Sequence, residues 1–222
     1  MDQTNREFFD AAAAGDFGKV CAAVSKGANV NVTNGDGRTA LMRSAKRGHE
    51  DIVRYLLDNG ADPRMRDKYN KTALMGAAKK GYVNICRLIL HAGGDVNSHD
   101  NKGRTALMRA AFLGEQEVVE YLISKGADIN KQDEEGRTAL MEAVNAGKAE
   151  TIIYLVNNGA DINKQDNHGC TVLMRAAYSG IKELVEMLLE KGANKDIIDN
   201  EGRKAIHYVR TECLGDLKDI LK

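Results

Sequence analysis

The sequence predicts an all-α repeat solenoid, one elongated domain of stacked helix-turn-helix repeats joined by hairpin-like loops. Three observations carry this. A nine-residue stretch, GRTALMRAA at Gly103–Ala111, returns as GRTALMRSA from Gly37, NKTALMGAA from Asn70, GRTALMEAV from Gly136, GCTVLMRAA from Gly169 and, worn, GRKAIHYVR from Gly202, with 33 residues between successive starts and no insertion. A fixed period of this length marks units that cannot bury an apolar face alone and must stack. Apolar residues within each period recur at helical spacing in two short runs. Of the 22 glycines, 17 fall on three repeat positions, where turns are needed.

Taken in order, residues 1–33 keep the register of the later repeats but lack the leading hairpin: Gly15 and Gly27 lie one period before Gly48 and Gly60. Asp2, Gln3, Arg6, Glu7 and Asp10 suit an N-terminal cap unit with one face in water. Five full repeats follow, at 34–66, 67–99, 100–132, 133–165 and 166–198. In the repeat at 100–132, Thr105 is placed to cap a first helix through Leu107, Met108 and Ala111, which Gly114 ends. A second helix carries Val118, Val119, Tyr121, Leu122 and Ile123 and ends at Gly126. The polar stretch ADINKQDEE then leads to Gly136. Residues 199–222 read as a C-terminal cap unit, with Lys204 where the capping threonine would stand and Cys213 where the mid-repeat glycine would stand.

The unit resembles an ankyrin repeat. The residues that carry the resemblance are the G-x-T-x-L-x-x-A-A start, the mid-repeat glycine, the I/V-V-x-x-L-L run seen as IVRYLL from Ile52, and the closing G-A-D-x-N of Gly159–Asn163. It extends over almost the whole chain. In place of the family's usual T-P-L-H this chain has T-A-L-M or T-V-L-M, and the histidine survives only as His207. Met42, Met75, Met108, Met141 and Met174 then form a column expected to fill the core. The asparagines that close the repeats, Asn31, Asn97, Asn130 and Asn163, are expected to make local turn hydrogen bonds.

Composition narrows the function. The chain is 43% hydrophobic and 29% charged, enough for a continuous core under a soluble surface. It opens with no basic-then-apolar leader and contains no apolar run near the roughly 18 to 20 residues a membrane span needs. A cytoplasmic or nuclear, monomeric protein is expected. Cys21, Cys86, Cys170 and Cys213 lack metal or disulfide spacing; Cys86 takes a core position and Cys170 a loop position open to solvent. The five histidines occupy five different places in the repeat, and Asp67, Asp100, Asp133, Asp166 and Asp199 come one per repeat, spaced for ordering turns rather than for paired acid and base work. Gly35–Ala40 imitates a dinucleotide fingerprint but follows a repeat loop and not a strand. No enzyme, cofactor or metal is expected.

Positions that vary between repeats while the scaffold holds are free of packing duty. In the first helix these are the third, sixth and seventh residues after the threonine-alanine pair, which share one helical face. Along the chain they read Arg43, Lys46, Arg47; Gly76, Lys79, Lys80; Arg109, Phe112, Leu113; Glu142, Asn145, Ala146; and Arg175, Tyr178, Ser179. The resemblance implies that this stripe, with loop tips such as Tyr69, Arg38, Arg66, Lys68, Lys71, Lys102 and Arg104, lines a concave partner-binding surface. Charge sharpens it. Residues 1–111 hold 18 Lys and Arg against 12 Asp and Glu, residues 112–222 hold 14 against 20, and the whole is neutral. The first expectation is a non-catalytic protein–protein interaction module, an adaptor, inhibitor or scaffold. Its basic repeats would steer a partner with an acidic patch, and Phe112, Leu113 and Tyr178 would anchor it. The alternative is an anionic ligand such as an oligonucleotide on the basic face, with Tyr69 or Phe112 stacking on bases; a neutral total charge weighs against it. For any single residue of the stripe, an ordinary solvated charge is the competing reading.

Overall fold

The computed structural model describes residues 2–222. Helices come in pairs: α1 (Gln3–Ala14) with α2 (Phe17–Ser25), α3 (Ala40–Arg47) with α4 (Glu50–Asp58), α5 (Ala73–Ala78) with α6 (Val83–His91), α7 (Ala106–Leu113) with α8 (Gln116–Ser124), α9 (Ala139–Asn145) with α10 (Ala149–Asn157), and α11 (Val172–Ser179) with α12 (Lys182–Glu190). The first helices of the pairs stack on one another in chain order, and α2, α4, α6, α8 and α10 form a second layer behind them. The core lies between the two layers. Leu41, Leu74, Leu107, Leu140 and Leu173 fill it from the first helices, and Ile52, Ile85, Val118, Ile152 and Leu188 from the second. The methionine column is buried throughout, as packing requires. Cys86 is buried too, and desolvation pushes its thiol up to about 12, which keeps it protonated and unreactive.

Local chemistry sets these boundaries. Thr39, Thr72, Thr105, Thr138 and Thr171 each accept, through Oγ1, the backbone N–H of the methionine three residues on, at 3.2, 3.4, 3.3, 3.3 and 3.4 Å. Each bond satisfies one orphan donor of a helix start. The periodic glycines are the very glycines with positive φ, and Asn70, at φ 58°, stands where the other repeats carry a leading glycine. Asparagine tolerates that left-handed geometry better than any branched side chain would.

The loops are ordered by their aspartates. The Oδ1 of Asp67 accepts the N–H groups of Tyr69 and Lys71 at 2.8 and 2.9 Å, and Asp100, Asp133, Asp166 and Asp199 repeat the arrangement. Successive loop tips are tied by one backbone bond each, such as Asn101 N–H to the Tyr69 carbonyl at 3.0 Å. The closing asparagines differ from the expectation. Their amides reach across to the next repeat: Asn97 donates to the Gly126 carbonyl at 3.1 Å and accepts from Asp128 N–H at 2.8 Å, and Asn31, Asn130 and Asn163 do the same in their own repeats. The local turn bond falls instead to the residue two before, Asn29, Asp95, Asp128 or Asp161. Arg64, in the same column, donates from Nε to the Gly93 carbonyl at 2.7 Å, so a longer side chain serves the same joint.

The C-terminal end departs from the helical pair. Ala205–Tyr208 is a 3-10 turn rather than an α-helix, followed by a second short 3-10 turn at Thr211–Cys213 and then α13 (Leu214–Leu221). Lys204 offers no hydroxyl to cap a helix; its own N–H is taken by His207 Nδ1 at 2.9 Å. Leu217 and Leu221 are buried, and α13 packs against α12.

Candidate binding surface

The free face of the first helices forms one continuous surface with two adjoining grooves. The first, about 310 Å³, lies between α3 and α5 and is lined by Arg38, Arg43, Lys46, Lys71, Gly76, Lys79, Lys80 and Arg109, with Asp67 the sole carboxylate. The second, about 330 Å³, lies over α7 and α9 and is lined by Met108, Phe112, Leu113, Arg104, Arg137, Glu142 and Asn145, sharing Lys79 and Arg109 with the first. The first is cationic and the second mixed, with an apolar wall.

The stripe therefore holds together in space, but its members do different things. Lys46, Arg47, Lys79, Lys80 and Asn145 are exposed, and Phe112, Tyr69 and Tyr178 are large exposed rings at 45%, 44% and 62%. Arg43, Arg109, Leu113 and Arg175 are half-buried. Glu142 departs from the expected free position: it is only 5% exposed, with Arg137 Nε at 3.3 Å and Arg104 Nη2 at 4.0 Å from its Oε1. Two arginines from successive loops fold over it, an arrangement that helical spacing within one repeat does not reveal. Tyr69 and Tyr178 line neither groove. Tyr69 sits at a loop tip with Lys68 and Lys71 Nζ 5.1 and 5.2 Å from its ring centre, and Tyr178 carries the Arg210 guanidinium at 5.9 Å.

Sequence reasoning left Arg137 and Met108 off the binding face. The signal was available, since Arg38, Lys71, Arg104 and Arg137 stand one period apart and form a cationic column at the groove rim.

Electrostatics distinguish the grooves. Arg109 is paired with Asp100, and Arg175 with Asp166 and with Asn145 Oδ1 at 2.9 Å. In the first groove Arg38 binds Asp36 and Asp67 at 3.3 and 3.5 Å, whereas Arg43, Lys46, Lys71, Lys79 and Lys80 have no carboxylate partner among the described residues. Partial burial, together with Arg38, Lys79, Arg43 and Lys71 around it, holds the Lys46 ammonium below the usual lysine range. Apart from Arg38 and Arg109, the like charges crowded here have no carboxylate partner among the described residues.

Other chemistry is sparse. Among the described residues no three His, Cys, Asp or Glu side chains gather as a metal site, and no helix is long and apolar enough to cross a membrane. Cys170 is half-buried, with its Sγ 3.1 Å from the Tyr208 hydroxyl.

Comparison with known proteins places these features. The family model for ankyrin repeats matches residues 8–100, 94–133 and 130–199. A 57-residue stretch is 40% identical to the NAD-capped RNA hydrolase NUDT12 of Homo sapiens, and equally to those of Macaca fascicularis and Pongo abelii, covering 25% of this chain and only 12% of theirs. The crystal structure of the human ASB11 ankyrin repeat domain superposes with a TM-score of 0.87 over 97% of each chain, at 21% identity, a likeness of fold.

Proposed function

Because the chain belongs to the ankyrin repeat family, whose repeats generally serve protein–protein interaction, we propose that it is a non-catalytic binding module, an adaptor, inhibitor or scaffold, and that the two-groove face is its binding surface. The observation that carries the reading is the junction of an uncompensated cationic groove with a groove walled by Phe112 and Leu113. Charged rims mainly raise association rates, while desolvated aromatic anchors lengthen lifetimes. The partner is accordingly a protein with an acidic patch, steered by Lys46, Arg47, Lys79 and Lys80 and anchored at Phe112, with Tyr178 as an outlying contact. The 57-residue likeness to the hydrolases lends the chain no catalytic part. A cytoplasmic or nuclear location, with which four free thiols accord, and a monomeric state belong to the same proposal.

Affinity capture from a cell extract tests this, with Phe112→Ala/Tyr178→Ala and Lys46→Glu/Lys79→Glu chains as paired controls. Proteins retained by the parent chain and lost from both controls support the face as the binding surface. Retention equal on all three rejects it.

A second reading, an oligonucleotide on the basic face, draws on Tyr69, an exposed ring flanked by Lys68 and Lys71. Stacking beside cations is how single strands are held without sequence preference. Filter binding of a generic single strand separates the two, because such binding falls steeply with salt. No retention at low salt removes this reading.

A further inference from the structure

One column of the repeat explains why the first groove is uncompensated. In the repeats that begin at Asp100 and Asp166, the loop aspartate meets the helix residue nine positions on, Arg109 or Arg175, and its Oδ2 takes the guanidinium. At the C-terminal end Asp199 meets Tyr208 in the same relation, at 2.5 Å. The first groove breaks the pattern twice. Asn34 stands in the aspartate's place nine residues before Arg43, and that guanidinium has no carboxylate partner among the described residues and lies 5.6 Å from the Phe9 ring centre. In the next repeat Asp67 keeps its place, but the residue nine on is Gly76, which leaves a notch where every other full repeat carries a long side chain. Asp67 is already engaged by Arg38 and by the N–H groups of its own turn.

The chain itself shows which group this column takes. In two of the full repeats an arginine meets the carboxylate. In the repeat at 133–165 Glu142 stands nine residues after Asp133 and is covered by Arg104 and Arg137 instead. In the first groove an arginine, four lysines and a gap remain. A carboxylate supplied from outside restores the missing contact, and the guanidinium fork matches its plane. The neighbouring groove shares Lys79 and Arg109 and offers Met108, Phe112 and Leu113 as an apolar wall. Adjacent stacked helices lie about 8–10 Å apart, and an extended chain advances about 3.3 Å per residue, so roughly three residues span the single step from Gly76 on α5 to Phe112 on α7.

We propose that the two grooves together hold one extended segment of a protein partner in which an Asp or Glu lies about three residues from a large apolar side chain, the carboxylate seated in the notch at Gly76 against Arg43 and Lys46, the apolar side chain against Phe112 and Leu113. This rests on the binding-module reading above and adds the chemistry of the segment recognised. It also makes Asn34 and Gly76 specificity-determining without touching the fold. Gly76 has no positive φ, and a β-carbon there would stand 3.3 Å from Lys46 Cβ, a tight contact that α3 and α5 relieve only by separating by a few tenths of an ångström.

Selection of random 12-residue peptides on the full chain is the test, followed by fluorescence anisotropy of the enriched sequence made synthetically. The expected consensus is an acidic residue three or four positions from Phe, Leu, Ile or Met. Replacing that acid by its amide should weaken binding at least tenfold. Gly76→Arg, which fills the notch and gives Asp67 its arginine, should do the same, and Asn34→Asp should weaken binding several-fold. Melting by circular dichroism should show both variants folded. A consensus without acid, indifference to both Gly76→Arg and Asn34→Asp, or competition by a twelve-nucleotide thymidine strand as strong as by the peptide itself would each overturn the proposal. An empty selection overturns it as well. In that case a folded partner lost from the Phe112→Ala/Tyr178→Ala chain leaves the broader reading standing.

Discussion

Arg43 and Arg109 occupy the same place in their repeats, yet Arg109 lies against Asp100 and Arg43 faces Asn34. Both repeats have the same threonine cap, the same buried leucine and the same glycine turn. The difference between them is therefore not a difference of fold. It teaches that the repeat separates two kinds of position: columns whose chemistry is fixed by stacking, and columns where the same backbone can carry a closed ion pair in one repeat and an open cation in the next. Binding character resides in the second kind.

The largest expected effect is one that should not distinguish the two regions. Leu41 and Leu107 are each 1% exposed, and Leu→Ala at either should cost about 2–5 kcal/mol, read as equal shifts of the denaturant midpoint. A variant tolerated in one region only would mean that the scaffold is not shared, and the comparison would fail at its root. Next in size, Arg109→Ala strands the buried Asp100 carboxylate and should cost about 1–3 kcal/mol. Arg43→Ala removes a cation–π contact and no ion pair, and should cost about 0.5–1 kcal/mol. Equal losses would show that Arg43 is held as firmly as Arg109. Smaller again, Asn34→Asp should alter stability by no more than about 0.5 kcal/mol while lowering the positive charge of the first groove. Asp keeps the two bonds that Asn34 Oδ1 accepts from the N–H groups of Asp36 and Arg38, so a loss well beyond that range would mean that Arg43 does not take up the new charge.

The smallest effect is at the C-terminal end. Burial alone would raise the Asp199 carboxyl, but hydrogen bonds from the Tyr208 hydroxyl and from Arg203, with the N–H groups of Arg203 and Glu201, outweigh it and hold the group below its ordinary value of 3.8. A carboxylate lowered in the folded state contributes stability that is fully present above 3.8 and lost as pH falls through the folded value. The melting difference between the parent chain and Asp199→Asn should thus stay constant at neutral and mildly acidic pH and narrow in strong acid. A difference that widens in acid would reverse the sign of this linkage.

How much of this was legible in the sequence follows from where each contact closes. Thr105 capping Met108 and Gly114 ending α7 are contacts within a few residues, and the period repeats them, so helix order and the family resemblance were readable. The burial of Glu142 was not, because the arginines covering it come from two different loops, one of them 38 residues away. The amides of Asn97 and Asn130 act 29 and 31 residues ahead, and only stacking shows that a turn residue is also an inter-repeat joint. The 3-10 turn at Ala205–Tyr208 escaped because the missing cap at Lys204 was readable while the shape that replaces a capped helix was not. For the site, the stripe was visible as variation between repeats; which of its cations are free required the partners at 9 residues' distance.

The most direct test of the central claim, that open cations steer and the apolar groove anchors, is a pair of rate constants for one protein partner that the parent chain retains. Association and dissociation should be measured at two salt concentrations for the parent chain, for Lys46→Glu/Arg47→Glu/Lys79→Glu/Lys80→Glu, and for Phe112→Ala/Tyr178→Ala. The account predicts that charge reversal slows association and inverts its salt dependence with little change in dissociation, whereas the alanine pair speeds dissociation and leaves association intact. A charge-reversed chain that associates at the parent rate would contradict it, and would move the binding surface to the second-layer helices or to the acidic C-terminal half.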